Sequence, residues 1–183
     1  GDVEGFIGDL NKADRMAFGK NQMAVLMAAR IKLSSLEAQG GMPAPDAAQV
    51  YDDGVALLDR VGVLNPRFAS VPYFKARFAR VSGLLRLDKP EDQEGLLVEA
   101  LRLDPLYIEA RMDLATLYKK RGESQKQYDV LKEGLRWKDA SLVPEEFYQM
   151  LATAALAQGD RETQMFAMKM LWHISKQKKA LMP

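Results

Sequence analysis

Apolar residues recur every three to four positions along nearly the whole chain, and no stretch sustains strict alternation, so the pattern predicts helices and no sheet. The breaks fall at Gly and Pro, with Gly40-Gly41-Met42-Pro43-Ala44-Pro45 the clearest. Between the breaks the pattern predicts four helical hairpins: 20–39 with 45–62, 71–87 with 90–103, 105–121 with 123–137, and 144–157 with 160–178. Residues 1–19 are expected to be an N-terminal segment or cap with a short helix from Asp9 to Phe18, and 20–183 to be the repeat domain. Pro45, Pro72, Pro90 and Pro144 suit first helical positions, where a missing N–H costs nothing. Glu91-Asp92 and Glu145-Glu146 follow two of them and suit the positive end of a helix. Asp104-Pro105 reads as an N-cap followed by a first turn, and Asn65-Pro66 reads the same way.

The third and fourth hairpins echo each other. Leu114-Ala115-Thr116 returns thirty-seven residues later as Leu151-Ala152-Thr153, Gly122-Glu123 as Gly159-Asp160, and Gln127 as Gln164. An echo of fixed period is the mark of a repeat protein. In the third hairpin Leu114, Ala115 and Tyr118 share one stripe, and Leu131, Gly134 and Leu135 share another. Ala115 and Gly134 are small where two helices must approach closely, and Tyr118 is large enough to fill the space between hairpins. Moving back 34 residues takes Tyr118, Leu131 and Leu135 to Leu84, Leu97 and Leu101, and moving forward 37 takes Leu131 to Met168. These are read as equivalent positions, with three extra residues in the Lys138–Pro144 connection.

The set Leu114, Ala115, Tyr118 and Gly122 resembles the tetratricopeptide repeat, a 34-residue helix–turn–helix unit. Ala100 and Pro105, and Leu151, Ala152 and Gly159, match further positions of that pattern. Arg111 stands where the family has an early Trp, and Gln127 and Gln164 where it has Ala. The resemblance covers about 71–178 and implies an all-α fold, a right-handed α-solenoid of about four hairpins, each covering the apolar flank of the next. It also implies an inner surface lined by first helices, which would bind a peptide or partner domain. In the family register the exposed positions on that inner, concave surface are Glu109, Met112, Asp113, Thr116, Lys119 and Lys120 in the third hairpin, and Glu146, Gln149, Met150 and Thr153 in the fourth. Lys75, Phe78, Ser82 and Arg86 are their equivalents in the second. Members that clamp the C-terminal carboxylate of heat-shock chaperones carry Lys and Asn where Met112, Thr116 and Gln149 stand, so that function is not expected. A solvated face with no partner is the alternative.

Composition narrows the function classes. The 183 residues carry 26 basic and 25 acidic side chains, a formal charge of +1, too balanced for a nucleic-acid footprint. There is no cysteine, which removes disulfides and thiolate metal sites. The longest apolar run, Met23 to Ala29, falls far short of the roughly 20 residues of a membrane span. No Gly-rich phosphate loop, nucleophile set or metal-spaced cluster stands out, so neither a cofactor nor a metal is expected, and the chain reads as a non-enzyme. His173, the only histidine, has no placed partner for catalysis and reads as a packed or surface residue. Asp52-Asp53 reads as a solvated face, since adjacent helical residues point apart. Lys119-Lys120-Arg121 complements the negative end of its helix.

The last helix differs from the rest. Met165, Phe166, Met168, Met170, Leu171, Trp172 and Ile174 make it apolar on more than one face. Met165, Met168 and Trp172 therefore read either as the filling of an end cap or as a docking surface for another chain, a second copy or the rest of a longer protein. Two function classes follow: a non-catalytic interaction scaffold, or the soluble accessory domain of a larger bacterial membrane enzyme or envelope assembly factor of the polysaccharide polymerase or ligase type. A third, weaker reading is self-association through the last helix. The compartment stays open between cytoplasm and periplasm, with tethering to a membrane through segments outside this chain.

Overall fold

A computed structural model describes Gly5, Gly8 and residues 21–89, 92–136 and 143–181. The expected helix from Asp9 to Phe18 and most of the Lys138–Pro144 connection lie outside the described residues. Among them every regular element is a helix: α1 Gln22–Glu37, α2 Ala47–Leu64, α3 Ser70–Leu85, α4 Gln93–Leu103, α5 Ile108–Lys120, α6 Ser124–Glu133 with a 3-10 turn Gly134–Arg136, α7 Glu145–Ala157 and α8 Arg161–Leu181. They form two compact units, Gly1–Leu103 and Asp104–Pro183. In the first, α1 pairs with α2 and α3 with α4, while α3 also packs on α2 and α1. In the second, α5 pairs with α6 and α7 with α8, and α6 packs on α7. Each helix therefore meets elements near it in sequence, which is how stacked hairpins bury faces they could not bury alone.

One packing device recurs in both units. On α2, Gly54 follows Tyr51 by three residues; a Cβ there would lie 2.3 Å from Cζ of Phe78 on α3. Phe78 is fully buried and meets Tyr51 edge to face, centroids 5.6 Å apart at 89°. After α6, Gly134 follows Leu131 by three; a Cβ there would lie 2.9 Å from Cζ of Phe147 on α7 and 2.8 Å from Cδ of Arg111 on α5. In each case the missing side chain on a second helix is the space occupied by an aromatic ring from the next hairpin. Burying such a ring is worth about 2–3 kcal/mol.

Local signals placed the hairpin turns. Gly122 and Gly159 both take left-handed backbone, with φ of 75° and 70°. Glu123 N–H donates to Tyr118 O at 2.9 Å, and Asp160 N–H to Ala155 O at 3.0 Å, a Schellman closure repeated thirty-seven residues apart. In unit one Leu87 N–H closes on Ser82 O at 3.0 Å, but Arg86 holds the left-handed position at φ 55°. Asp104 accepts from Leu106 N–H at 2.9 Å and starts a turn, so α5 begins at Ile108 rather than at Pro105 as the sequence suggests. Asn65 is the C-cap of α2 and accepts from Arg67 N–H at 3.3 Å, again starting a turn rather than capping the start of the next helix.

The repeat register needs two corrections. The spacing of 34 holds on second helices, where Leu97 and Leu131 are both fully buried, but not on first helices: Leu84 is 63% exposed while Val81, Ser82 and Leu85 are buried. The first-to-second link differs, because Arg86 and Asp88 both adopt positive φ in unit one where a single Gly122 turns the chain in unit two. Met168 does not repeat the burial of Leu131 either. Ala167 takes the buried place, because α6 is covered by α5 and α7 whereas α8 packs chiefly on α7.

Gly54 and Gly83 should respond oppositely to alanine. Gly54→Ala drives a methyl into the buried Phe78 ring and should cost about 1–3 kcal/mol. Gly83 is helical and exposed, with nothing within 4 Å of an added Cβ, so Gly83→Ala should stabilise by about 0.5–1 kcal/mol. Urea midpoints of the two variants against wild type check both signs.

Candidate functional site

The outward faces of the first helices in unit two carry most of the residues expected to bind. On α5, Ala110, Leu114 and Ala115 are buried, and Glu109, Met112, Thr116 and Lys119 rise on the other side, exposed or half-exposed. On α7, Leu151, Ala154 and Ala155 are buried, and Glu146, Gln149 and Thr153 are exposed. Thr116 Oγ1 donates to Met112 O at 2.8 Å and Thr153 Oγ1 to Gln149 O at 2.9 Å, so two echoed threonines make the same bond to their own helix. Each hydroxyl is spent internally, which leaves the methyl as the outward surface. Asp113 and Met150 are half-buried. Acidic groups start both helices, Glu109 on α5 and Glu145 and Glu146 on α7, while Lys119 and Lys120 end α5. The acids complement the dipole at the start of both helices, and on α5 the lysines complement its end as well, giving that helix a negative and a positive end.

In unit one the expectation fails at two of the four positions, Phe78 and Ser82. Phe78 and Ser82 are not outward: they are 0% and 2% exposed and belong to the core against α2. The cause is the register difference on α3, compounded by the glycine notch that draws Phe78 inward. Lys75 is half-buried and pairs with Asp59 of α2 at 2.5 Å. Arg86 is exposed at the end of α3.

Beneath the α5 face, Arg111 replaces the large early side chain with a buried guanidinium. Its Nη1 donates to Val130 O at 2.7 Å and its Nη2 to Pro105 O at 2.8 Å, with Glu133 Oε2 at 3.4 Å. Val130 lies in the last turn of α6, whose end carbonyls lack helical partners, so the cation satisfies main-chain oxygens that a Trp could not.

The start of α8 is fastened to α6 by one carboxylate. Asp160 accepts from Tyr128 Oη, from Lys132 Nζ at 2.9 Å, and from Thr163 N–H at 3.0 Å and Oγ1 at 2.8 Å. The Tyr128 hydroxyl, the Thr163 amide and Lys132 hold its carboxyl well below the usual carboxylate range. Tyr128 and Asp160 in turn raise Lys132 above an ordinary lysine. The sequence echo had marked Asp160, but as a turn residue; its reach to α6 depends on tertiary packing that no local pattern shows.

The remaining candidates separate cleanly. Asp52 accepts from Lys89 at 2.7 Å and Asp53 from Lys32 at 2.9 Å, so the adjacent acids do diverge. Lys32, and after it Gln49, lower the Asp53 carboxyl. His173 is exposed, 5.0 Å from Trp172 between ring centroids. On α8, Met165, Met168 and Trp172 are 71%, 56% and 53% exposed, with Lys176 Nζ 4.2 Å over the Trp172 ring. Among the described residues no three His, Cys, Asp or Glu side chains gather as a metal site, and no helix is long and apolar enough to cross a membrane. A basic set on unit one, Arg30, Arg77 and Arg80, was not anticipated; counting charge helix by helix rather than over the chain would have found it.

The fold is that of a TPR-like helical solenoid. A crystal structure of MamA matches 98% of this chain and 92% of its own at a TM-score of 0.63 with 18% identity. A second MamA crystal structure gives 0.61 at 18% identity over 100% of this chain and 88% of its own. The MamA RS-1 ArsTM double mutant gives 0.61 at 14% over 97% and 88%. No protein-family model matches the chain, and no curated protein matches it.

Because the Asp160 pKa is depressed on folding, its stabilisation is complete above the unfolded value near 4 and is lost as pH falls from there toward the folded value. The melting-temperature gap between wild type and Asp160→Ala should be constant from about pH 7 to pH 5 and should shrink below about pH 4. A gap unchanged down to about pH 2 would show that the carboxylate does not fasten α8.

Proposed function

We propose that this chain is a non-catalytic protein-interaction scaffold that binds a peptide or partner domain on the outward faces of its first helices. One observation carries the reading. On α5 and α7 the stripe opposite the buried one is left exposed or half-exposed, and it repeats its chemistry: Thr116 and Thr153 close on their own helices in the same way beside Met112, Gln149 and flanking charge. Such a face offers shape and a charge gradient, with no nucleophile–base pair on it. The TPR-like fold shared with MamA supports the reading at the level of architecture. Affinity capture of partners by wild type and by a Thr116→Arg, Thr153→Arg double variant tests it. Both proteins should melt alike, since the sites are outward, and the double variant should lose its partners; equal recovery would remove this face from the reading.

A second reading, the accessory domain of a larger bacterial membrane enzyme or envelope assembly factor, is favoured by the exposed apolar face of α8, which suits docking on another part of such a protein. Under that reading the coding sequence on one or both sides of this chain encodes membrane spans; a full coding sequence free of spans would leave the scaffold reading alone.

A further inference from the structure

Summed over the chain the charge is nearly balanced, yet counted helix by helix it singles out α8. That helix carries Arg161, Lys169, Lys176, Lys178 and Lys179 against one acid, Glu162. In unit one Arg77 and Arg80 both close on Glu37, at 2.5 and 3.0 Å. On α8, by contrast, Arg161, Lys169 and Lys176 form no ion pair among the described residues. The helix has two faces. Thr163, Ala167, Met170 and Ile174, spaced four, three and four apart, are buried or half-buried on the side that packs within unit two. Met165, Met168 and Trp172, spaced three and four apart, are exposed on the other side. Arg161 and Lys176 prolong that row by one turn each way, and Lys169 lies beside it; all three are exposed. Lys176 Nζ stands 4.2 Å from the centre of the Trp172 ring. The outward row is therefore apolar in its middle and bordered by cations that nothing in unit two neutralises.

We infer that the outward face of α8 lies on the surface of an anionic lipid membrane, with Met165, Met168 and Trp172 at the acyl boundary and Arg161, Lys169 and Lys176 at the phosphates. The inference goes beyond the scaffold reading, which rests on other faces, and gives α8 a different occupant from the accessory-domain reading. A helix that sets Lys and Arg beside a row of Trp and Met is suited to lie in the plane of such an interface without spanning it. Trp favours the headgroup level because its ring is apolar and its N–H is polar. Lys176 over the Trp172 ring keeps its stem on the apolar row and its charge at the edge, as a snorkelling side chain does. Other occupants suit the face less well. A further hairpin of this kind needs a gap for its ring, as at Gly54 and Gly134, and α8 holds no glycine. A second copy set face to face would bring the same cations together. An acidic partner helix needs a groove to lie in, whereas this row runs along one convex helix. A fluid bilayer needs neither gap nor groove, and its phosphates supply the charge that the row lacks.

Co-sedimentation of the chain with phosphatidylcholine vesicles, with and without phosphatidylglycerol, tests the proposal. Wild type should bind the phosphatidylglycerol vesicles at least tenfold more tightly than pure phosphatidylcholine, and binding should weaken as salt rises. A Lys169→Glu, Lys176→Glu variant and a Met165→Gln, Trp172→Gln variant, each altered only at exposed positions, should melt like wild type and bind at least tenfold more weakly. The first loss follows from about fivefold per basic residue near an anionic surface. Tryptophan emission of wild type should shift to the blue at saturating lipid, and a Trp172→Phe variant should lose most of that shift. Absence of binding, equal binding to both vesicle types, unchanged binding by either double variant, or an undiminished shift in Trp172→Phe overturns the proposal. Tighter binding of a labelled peptide of alternating Glu and Leu, lost in both double variants, overturns it in favour of an acidic protein partner. An oligomer seen by light scattering that the Met165→Gln, Trp172→Gln variant dissolves, with no vesicle binding by wild type, overturns it in favour of a second copy.

Discussion

Two second helices leave out a side chain at a chosen point, and an aromatic ring from the following hairpin fills the gap. Gly54 admits Phe78, and Gly134 admits Phe147 together with the stem of Arg111. Much else depends on this contact. It sets how closely consecutive hairpins approach, it fixes which face of α3 and of α7 turns inward, and so it selects which residues are left outside. The constraint is steric before it is hydrophobic: glycine contributes nothing to burial itself, but it lets the ring reach full contact, where dispersion and transfer from water both count.

The charged and polar groups are arranged around that packing. Arg111 is the informative case, because a cation in a core is costly unless its donors are taken up. Here two main-chain oxygens and Glu133 take up its Nη1 and Nη2 donors. Asp160 does a similar service at the other end of the hairpin, capping α8 while holding Tyr128 and Lys132 of α6. Unit two thus joins its hairpins through one apolar notch and one polar clasp, and the two lie on residues that the thirty-seven-residue echo relates to turns and stripes.

Helix content, the break positions and the hairpin turns could be read from the sequence, since they depend on local chemistry: glycine at positive φ and a period near 3.6; the prolines were less exact, for Pro45 lies before α2, Pro72 is third in α3, Pro144 caps α7, and Pro90 lies outside the described residues. The outward stripes of α5 and α7 were legible for the same reason. Residues facing across hairpins were harder. Phe78 and Ser82 looked outward because a 34-residue period was carried onto α3, yet α3 ends on Arg86 and Asp88 rather than on one glycine, and the phase slips there. Met168 looked like a copy of Leu131 because sequence spacing says nothing about what covers a helix. The arginines around Glu37 escaped notice because a chain-wide sum near zero hides opposite signs on neighbouring helices.

Thr116 and Thr153 carry one more consequence. A threonine that returns its hydroxyl to the carbonyl four residues back competes with the amide already bonded there, and it tilts that carbonyl away from the axis. Helices with such a wedge bow slightly at that level. The same pair of side chains therefore supplies an outward methyl and also tunes the curvature of the rod that displays it, so valine, equal in size, would keep the surface chemistry while straightening its support.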